Sequence, residues 1–164
     1  MANKLYRAVE TAITFKDSGG DKALALNGQT LGTGQVSAIY DRGAGSLADL
    51  HEVSAVIQWT AAPTFGDAAE IYLFQSSDGT IIDGNVGTTS ASFLTNKRKN
   101  GMLIGAVICD VESGSVNMVG RFMNVPITSR YYSIGVWNGS ATKAFLASAN
   151  VSYVIVTPMP PELQ

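Results

Sequence analysis

One cysteine, one histidine and few charges bound what this 164-residue sequence can do. Cys109 has no second cysteine to pair with, so an internal disulfide and a CxxC motif are both excluded. It lies in the apolar run MLIGAVICDV, which reads as a buried structural thiol in a chain suited to a reducing compartment. A zinc site wants about four soft ligands, and one Cys with one His falls short. Charged residues make up 15% of the chain, against about 25% in an ordinary domain. Ser, Thr, Asn, Gly and Ala must therefore cover much of the surface. Interface cores are depleted in charge, so the deficit fits a surface used in contacts, and it equally fits a weakly charged Ser/Thr-rich protein. Net charge is −2, which gives the whole chain no pull toward nucleic acid or an anionic membrane. The longest apolar run, residues 102–109, is far short of the roughly 20 residues that span a bilayer. The opening MANKLYRAVE is polar and no apolar stretch follows it, so no secretory signal is read.

What the sequence has is β-strand alternation. The stretch 53–87 organises the rest: VSAVIQWT, a loop, AEIYLFQSS, then DGTIIDGNVG. Val53, Ala55, Ile57 and Trp59 share one parity, while Ser54, Gln58 and Thr60 share the other. Successive strand side chains face opposite ways, so this strand has one apolar and one mostly polar face. Residues 71–74 are apolar on both parities, as in a strand covered on both sides.

Further strands are predicted over 8–15, 23–26, 35–40, 102–111, 115–125, 130–138 and 151–157. Turn chemistry separates them: DSGGD at 17–21, DRGAGS at 41–46, ESG at 112–114 and Asn138-Gly139. The short 23–26 segment is expected to form a hairpin with the first strand, and 115–125 one with 102–111. Residues 47–50 have room for a single helical turn. The pattern predicts one all-β domain over 1–164, an antiparallel β-sandwich of about eight strands, jelly-roll-like, with an immunoglobulin-like sandwich as the rival. Residues 1–7 and 158–164 read as extended terminal arms, the latter because of Pro158, Pro160 and Pro161.

No catalytic set stands out, and the chain reads as a non-enzyme without a cofactor. His51 has Asp49 two residues away, but no GxSxG nucleophile elbow exists, and an apolar strand raises the pKa of a thiol such as Cys109. The stretch DGTIIDGN offers oxygen ligands for calcium at Asp78, Asp83 and Asn85, although the spacing fails the EF-hand pattern and Asp-Gly is a common turn dipeptide. It falls within 76–100, a long stretch without alternation. The one basic run, Lys97-Arg98-Lys99, reads as a partner contact or as a solvated loop at a sheet end. Trp59, Trp137, Tyr131 and Tyr132 read as core or interface aromatics, or as a sugar-stacking platform.

The motifs YDRGAGS at 40–46, IYLFQSSDGT at 71–80, DGNVGT at 83–88 and YYSIGVWN at 131–138, with the closing PMPPELQ, resemble a family of small structural proteins of tailed bacteriophages. The chain departs from that family at 96–100, which is purely basic where relatives carry mixed charge. The resemblance implies a virion component assembled in the bacterial cytoplasm: a capsid decoration or cement protein on the outer shell. Such proteins are often trimers of jelly-roll subunits, here bound to the major capsid protein and bridging capsomers. The contacts expected are the two termini, with Asn3, Lys4, Pro160 and Pro161, and the 76–100 stretch with Lys97, Arg98 and Lys99. A tail or fibre module that binds a receptor or glycan is the alternative.

Overall fold

The structure, a computed structural model, describes residues 10–44, 48–80, 89–93 and 95–159. Its strands are β1 (Ile13–Lys16), β2 (Lys22–Ala23), β3 (Gly34–Val36), β4 (Tyr40–Asp41), β5 (Leu50–Ile57), β6 (Ala68–Ser76), β7 (Ala91–Phe93), β8 (Met102–Ile108), β9 (Met118–Pro126), β10 (Tyr131–Asn138) and β11 (Tyr153–Met159). A 3-10 helix, Thr95–Asn100, precedes β8. One sheet runs β2-β1-β11-β5-β9, and the other β7-β3-β10-β6-β8, with β4 also paired to β10.

Setting aside the short β2, β4 and β7, the order is β1-β11-β5-β9 facing β3-β10-β6-β8. Every adjacent pair among these eight is antiparallel. This is the jelly-roll arrangement of two four-stranded sheets, in which every connection among the eight except β6 to β8 crosses between layers. The immunoglobulin order pairs its last two strands within one sheet and keeps its first and last strands in different sheets. Here β10 and β11 lie in opposite sheets, and the first strand, β1, pairs with the last, β11.

Two local expectations are corrected by that topology. Residues 102–111 and 115–125 do not form a hairpin: β8 pairs with β6, and β9 crosses to the other sheet to pair with β5. The segment near 23–26 is no hairpin partner either, because β2 runs parallel to β1 over two residues. Leu50 begins β5 instead of closing a helical turn. Pro158 and Met159 are not arm but strand, opposite His51 and Leu50. Residues 1–9 and 160–164, with Asn3, Lys4, Pro160 and Pro161, lie outside the described residues, as do Asp83 and Asn85.

The core lies between the sheets. Val53, Ala55 and Ile57 of β5 face Ile71 and Leu73 of β6 and Ile134 and Val136 of β10, with Phe15, Trp59 and Phe145 filling in. The other parity of β6 is buried too. Tyr72 and Phe74 pack beneath Phe93 and Trp137 on the outer side of the second sheet. That second small core explains why 71–74 is apolar throughout. Gly34 is required there, because a Cβ on it would sit 2.5 Å from Cζ of Phe93.

Candidate functional site

A buried ionic node ties the start of the described chain to the sandwich. The Glu10 carboxylate accepts from Arg42 Nε at 2.9 Å, Arg42 Nη2 at 3.0 Å and the Ala48 amide at 2.7 Å. The same guanidinium donates to the carbonyls of Ile127, Ser129 and Ala48. Burial raises the Glu10 pKa, but the bonds from Arg42 and Ala48 outweigh it and leave it below the usual value. His51 Nε2 lies 4.0 Å from Glu10 Oε2. His51 is buried, and that burial, with the Arg42 charge, drives its pKa down to about 4. At neutral pH the imidazole is therefore uncharged, and its Nδ1 has no hydrogen-bond partner.

Cys109 is buried, with Sγ 3.4 Å from the Val111 carbonyl, and burial pushes its pKa up. Neither group is set up as a nucleophile. Asp67 is a second buried carboxylate, and it acts as a staple. Burial raises its pKa, but bonds from the Thr64 and Ala141 amides and the Thr142 and Ser140 hydroxyls hold it below normal. Asp78 Oδ1 accepts from the amide and hydroxyl of Thr80, closing its own turn. Among the described residues no three His, Cys, Asp or Glu side chains gather as metal ligands. No helix among them is long and apolar enough to cross a membrane.

The basic run divides. Arg98 bonds Glu70 Oε2 at 2.7 Å, and its guanidinium lies 4.4 Å from the centre of the Trp137 ring. Tyr72 donates to the same Glu70 oxygen at 2.5 Å. Arg98 is thus a cap on the outer core, while Lys99 is exposed and Lys97 half-buried on the 3-10 helix. Beside Arg98 lies a shallow cleft of about 280 Å³, lined by Glu70, Tyr72, Thr95 and Lys99. A second, of about 320 Å³, adjoins it at Thr95 and is lined by Thr30, Gln35, Ser92 and Phe93 among others.

The aromatic platform is not assembled. Trp59, Trp137 and Tyr132 are all buried. Trp59 packs edge-on to Phe145 at 5.6 Å, and Tyr132 lies against Phe15 and Tyr40. Tyr131 is half-buried beneath the Arg130 guanidinium.

Exposed large apolar side chains lie elsewhere: Phe65, Leu31 and Leu50 singly, and a group on the two strands that end the sheets side by side. On β8 these are Met102, Leu103 and Ile108, with Val111 just beyond; on β9 they are Val119 and Met123. Leu103, Ile108, Val119 and Met123 are each more than half exposed. Sequence reasoning placed these residues in strands but not at an edge, since which strand ends a sheet is set by topology. No family model matches the chain, and no curated protein matches it.

Proposed function

We propose that this chain is a non-enzymatic building block of a tailed-bacteriophage virion, a decoration or cement protein that holds neighbouring capsomers by protein–protein contact on the capsid surface. The observation that carries the reading is the set of exposed apolar side chains on β8, with Val119 and Met123 of the neighbouring β9. Free sheet edges are ordinarily blunted by charge, proline or a bulge; Met102–Ile108 has neither charge nor proline, and one register shift opposite Ile71 and Tyr72 is its sole irregularity. Exposed apolar side chains gathered at a sheet edge point to a contact site. The jelly roll supplies a rigid frame for it, and the motif resemblance supplies the phage setting. Cement proteins act mechanically, spreading modest contacts over several partners so that avidity does the holding. The major capsid protein and further copies of this chain are the partners proposed, with a trimer as the form that the resemblance implies.

The test is copy number in purified particles by quantitative mass spectrometry. Hundreds of copies per particle support the shell, about a dozen or fewer move the protein to the tail, and none removes the virion reading.

The second reading, a glycan-binding module of a tail or fibre, draws on the paired clefts at Thr95, whose walls carry hydroxyls and the Gln35 amide. A glycan array with wild type and Gln35→Ala decides it. Signal that is lost in the variant supports the module, and an array without signal removes it.

A further inference from the structure

Strand β8 has β6 on one side, and no described strand pairs with the other. Its central residues carry no charge and no proline, and the only irregularity is a register shift opposite Ile71 and Tyr72. The charges gather at its two ends instead, and they differ in sign. Lys97 and Lys99 stand just before Met102, while Asp110 and Glu112 follow Ile108. Lys99, Asp110 and Glu112 are exposed, and Arg98 is already held by Glu70 and Trp137. A seven-residue strand separates the two groups by about 23 Å, at roughly 3.3 Å per residue.

An apolar strand flanked by basic residues at one end and acidic residues at the other is complementary to itself when turned around. Antiparallel self-pairing sets each basic end beside the partner's acidic end, twice over. Parallel pairing would set like against like. The neutral centre raises no cross-strand charge conflict in either register. Antiparallel pairing of identical strands is what a twofold axis produces, since the same patch is used on both copies.

We infer that two copies of this protein join through antiparallel pairing of β8 with β8, which makes one continuous sheet across the twofold axis and seats Lys97 and Lys99 of each copy against Asp110 and Glu112 of the other. The pairing satisfies the free backbone donors and acceptors of β8. It also carries Leu103 and Ile108 into contact, and brings the β9 edges, with Val119 and Met123, toward each other. The inference rests on reading the β8/β9 edge as a contact surface, and it replaces the threefold contact implied by the resemblance with a twofold one.

Sedimentation equilibrium on the isolated protein gives twice the chain mass if this is right. Two variants test the charge code. Lys97→Glu with Lys99→Glu makes both ends acidic, and Asp110→Lys with Glu112→Lys makes both ends basic. Each alone sediments as a monomer while keeping the wild-type circular dichroism spectrum. Mixed, they form a 1:1 heterodimer, because every contact is again between opposite charges. A wild-type monomer, a wild-type trimer, or variants that each keep their own dimer would overturn the twofold pairing. Virion copy number is independent of these outcomes, so the pairing and the virion role fail separately.

Discussion

The Glu10 carboxylate grips the Arg42 guanidinium through two bonds, Oε1 to Nε at 2.9 Å and Oε2 to Nη2 at 3.0 Å, with Arg42 side-chain exposure at only 1%. The pair joins the chain ahead of β1 to Ala48 and to the carbonyls of Ile127 and Ser129, so it fastens one end of the sandwich. Breaking a buried ion pair from one side leaves the other charge stranded. Arg42→Met is therefore expected to cost roughly 3–5 kcal/mol in urea unfolding, and Glu10→Gln less, since the amide still accepts one bond. The double variant Arg42→Met/Glu10→Leu should recover part of the loss, because no charge is then left buried. A cost equal to the sum of Arg42→Met and Glu10→Leu measured singly would show that the residues act independently.

Acid should weaken the fold through His51. The unfolded chain takes up a proton on this residue as pH falls through about 6.5, whereas the folded protein resists until about 4. Between those values the unfolded state binds more protons, so stability drops as pH falls. Full protonation of the unfolded side is worth roughly 3 kcal/mol. His51→Leu keeps similar bulk and gives up no bond at Nδ1. Its midpoint in urea should be flat between pH 6.5 and 4.5 where the wild type declines. Below that, both proteins should lose stability together, as Glu10, Asp41 and Asp67, whose folded pKa values are lowered, take up protons in the unfolded chain first.

Much of the fold was legible because strand alternation reports which face of a strand is wet. Val53, Ala55, Ile57 and Trp59 announced an inner face, and all four are buried in it. Periodicity says nothing about which strand lies alongside. Ile13 pairs with Val156 at the far end of the chain, and the turn at 112–114 looked like a hairpin although β8 and β9 belong to different sheets. The same limit hid the exposed apolar side chains of β8 and β9, since alternation does not say which strand ends a sheet. The Glu10–Arg42–His51 node had no signal either, as its members come from three separate segments. For Trp137 the sequence showed an aromatic ring but not the Arg98 cap that closes it off.

That cap gives a specific expectation for Arg98. The guanidinium stacks on Trp137 while its edge bonds Glu70, a geometry that needs a planar, forked group. Arg98→Ala should cost about 1–2 kcal/mol, limited by the partial exposure of the ion pair. Arg98→Lys should recover little of it. Trp137 fluorescence should shift to longer wavelength in both variants as the ring meets water. Full recovery by lysine would mean that charge alone is what counts.

Packing around Phe93 leaves little room. Phe93 meets Tyr72, Phe74 and Trp137 at centroid distances of 6.3, 5.8 and 5.7 Å, and the space between its ring and β3 exists only because residue 34 is glycine. Gly34→Ala puts a methyl where the ring edge stands, against a ring already held by three aromatic neighbours. Overpacking of this kind costs about 1–3 kcal/mol. Phe93→Leu trims the ring and on its own costs a similar amount through lost contacts. In the double variant the methyl occupies space that the ring has vacated. Gly34→Ala/Phe93→Leu should thus be more stable than the two single losses predict, by at least about 1 kcal/mol in a double-mutant cycle from urea unfolding. Strict additivity would place the strain of Gly34→Ala in the β3 backbone instead of in the ring.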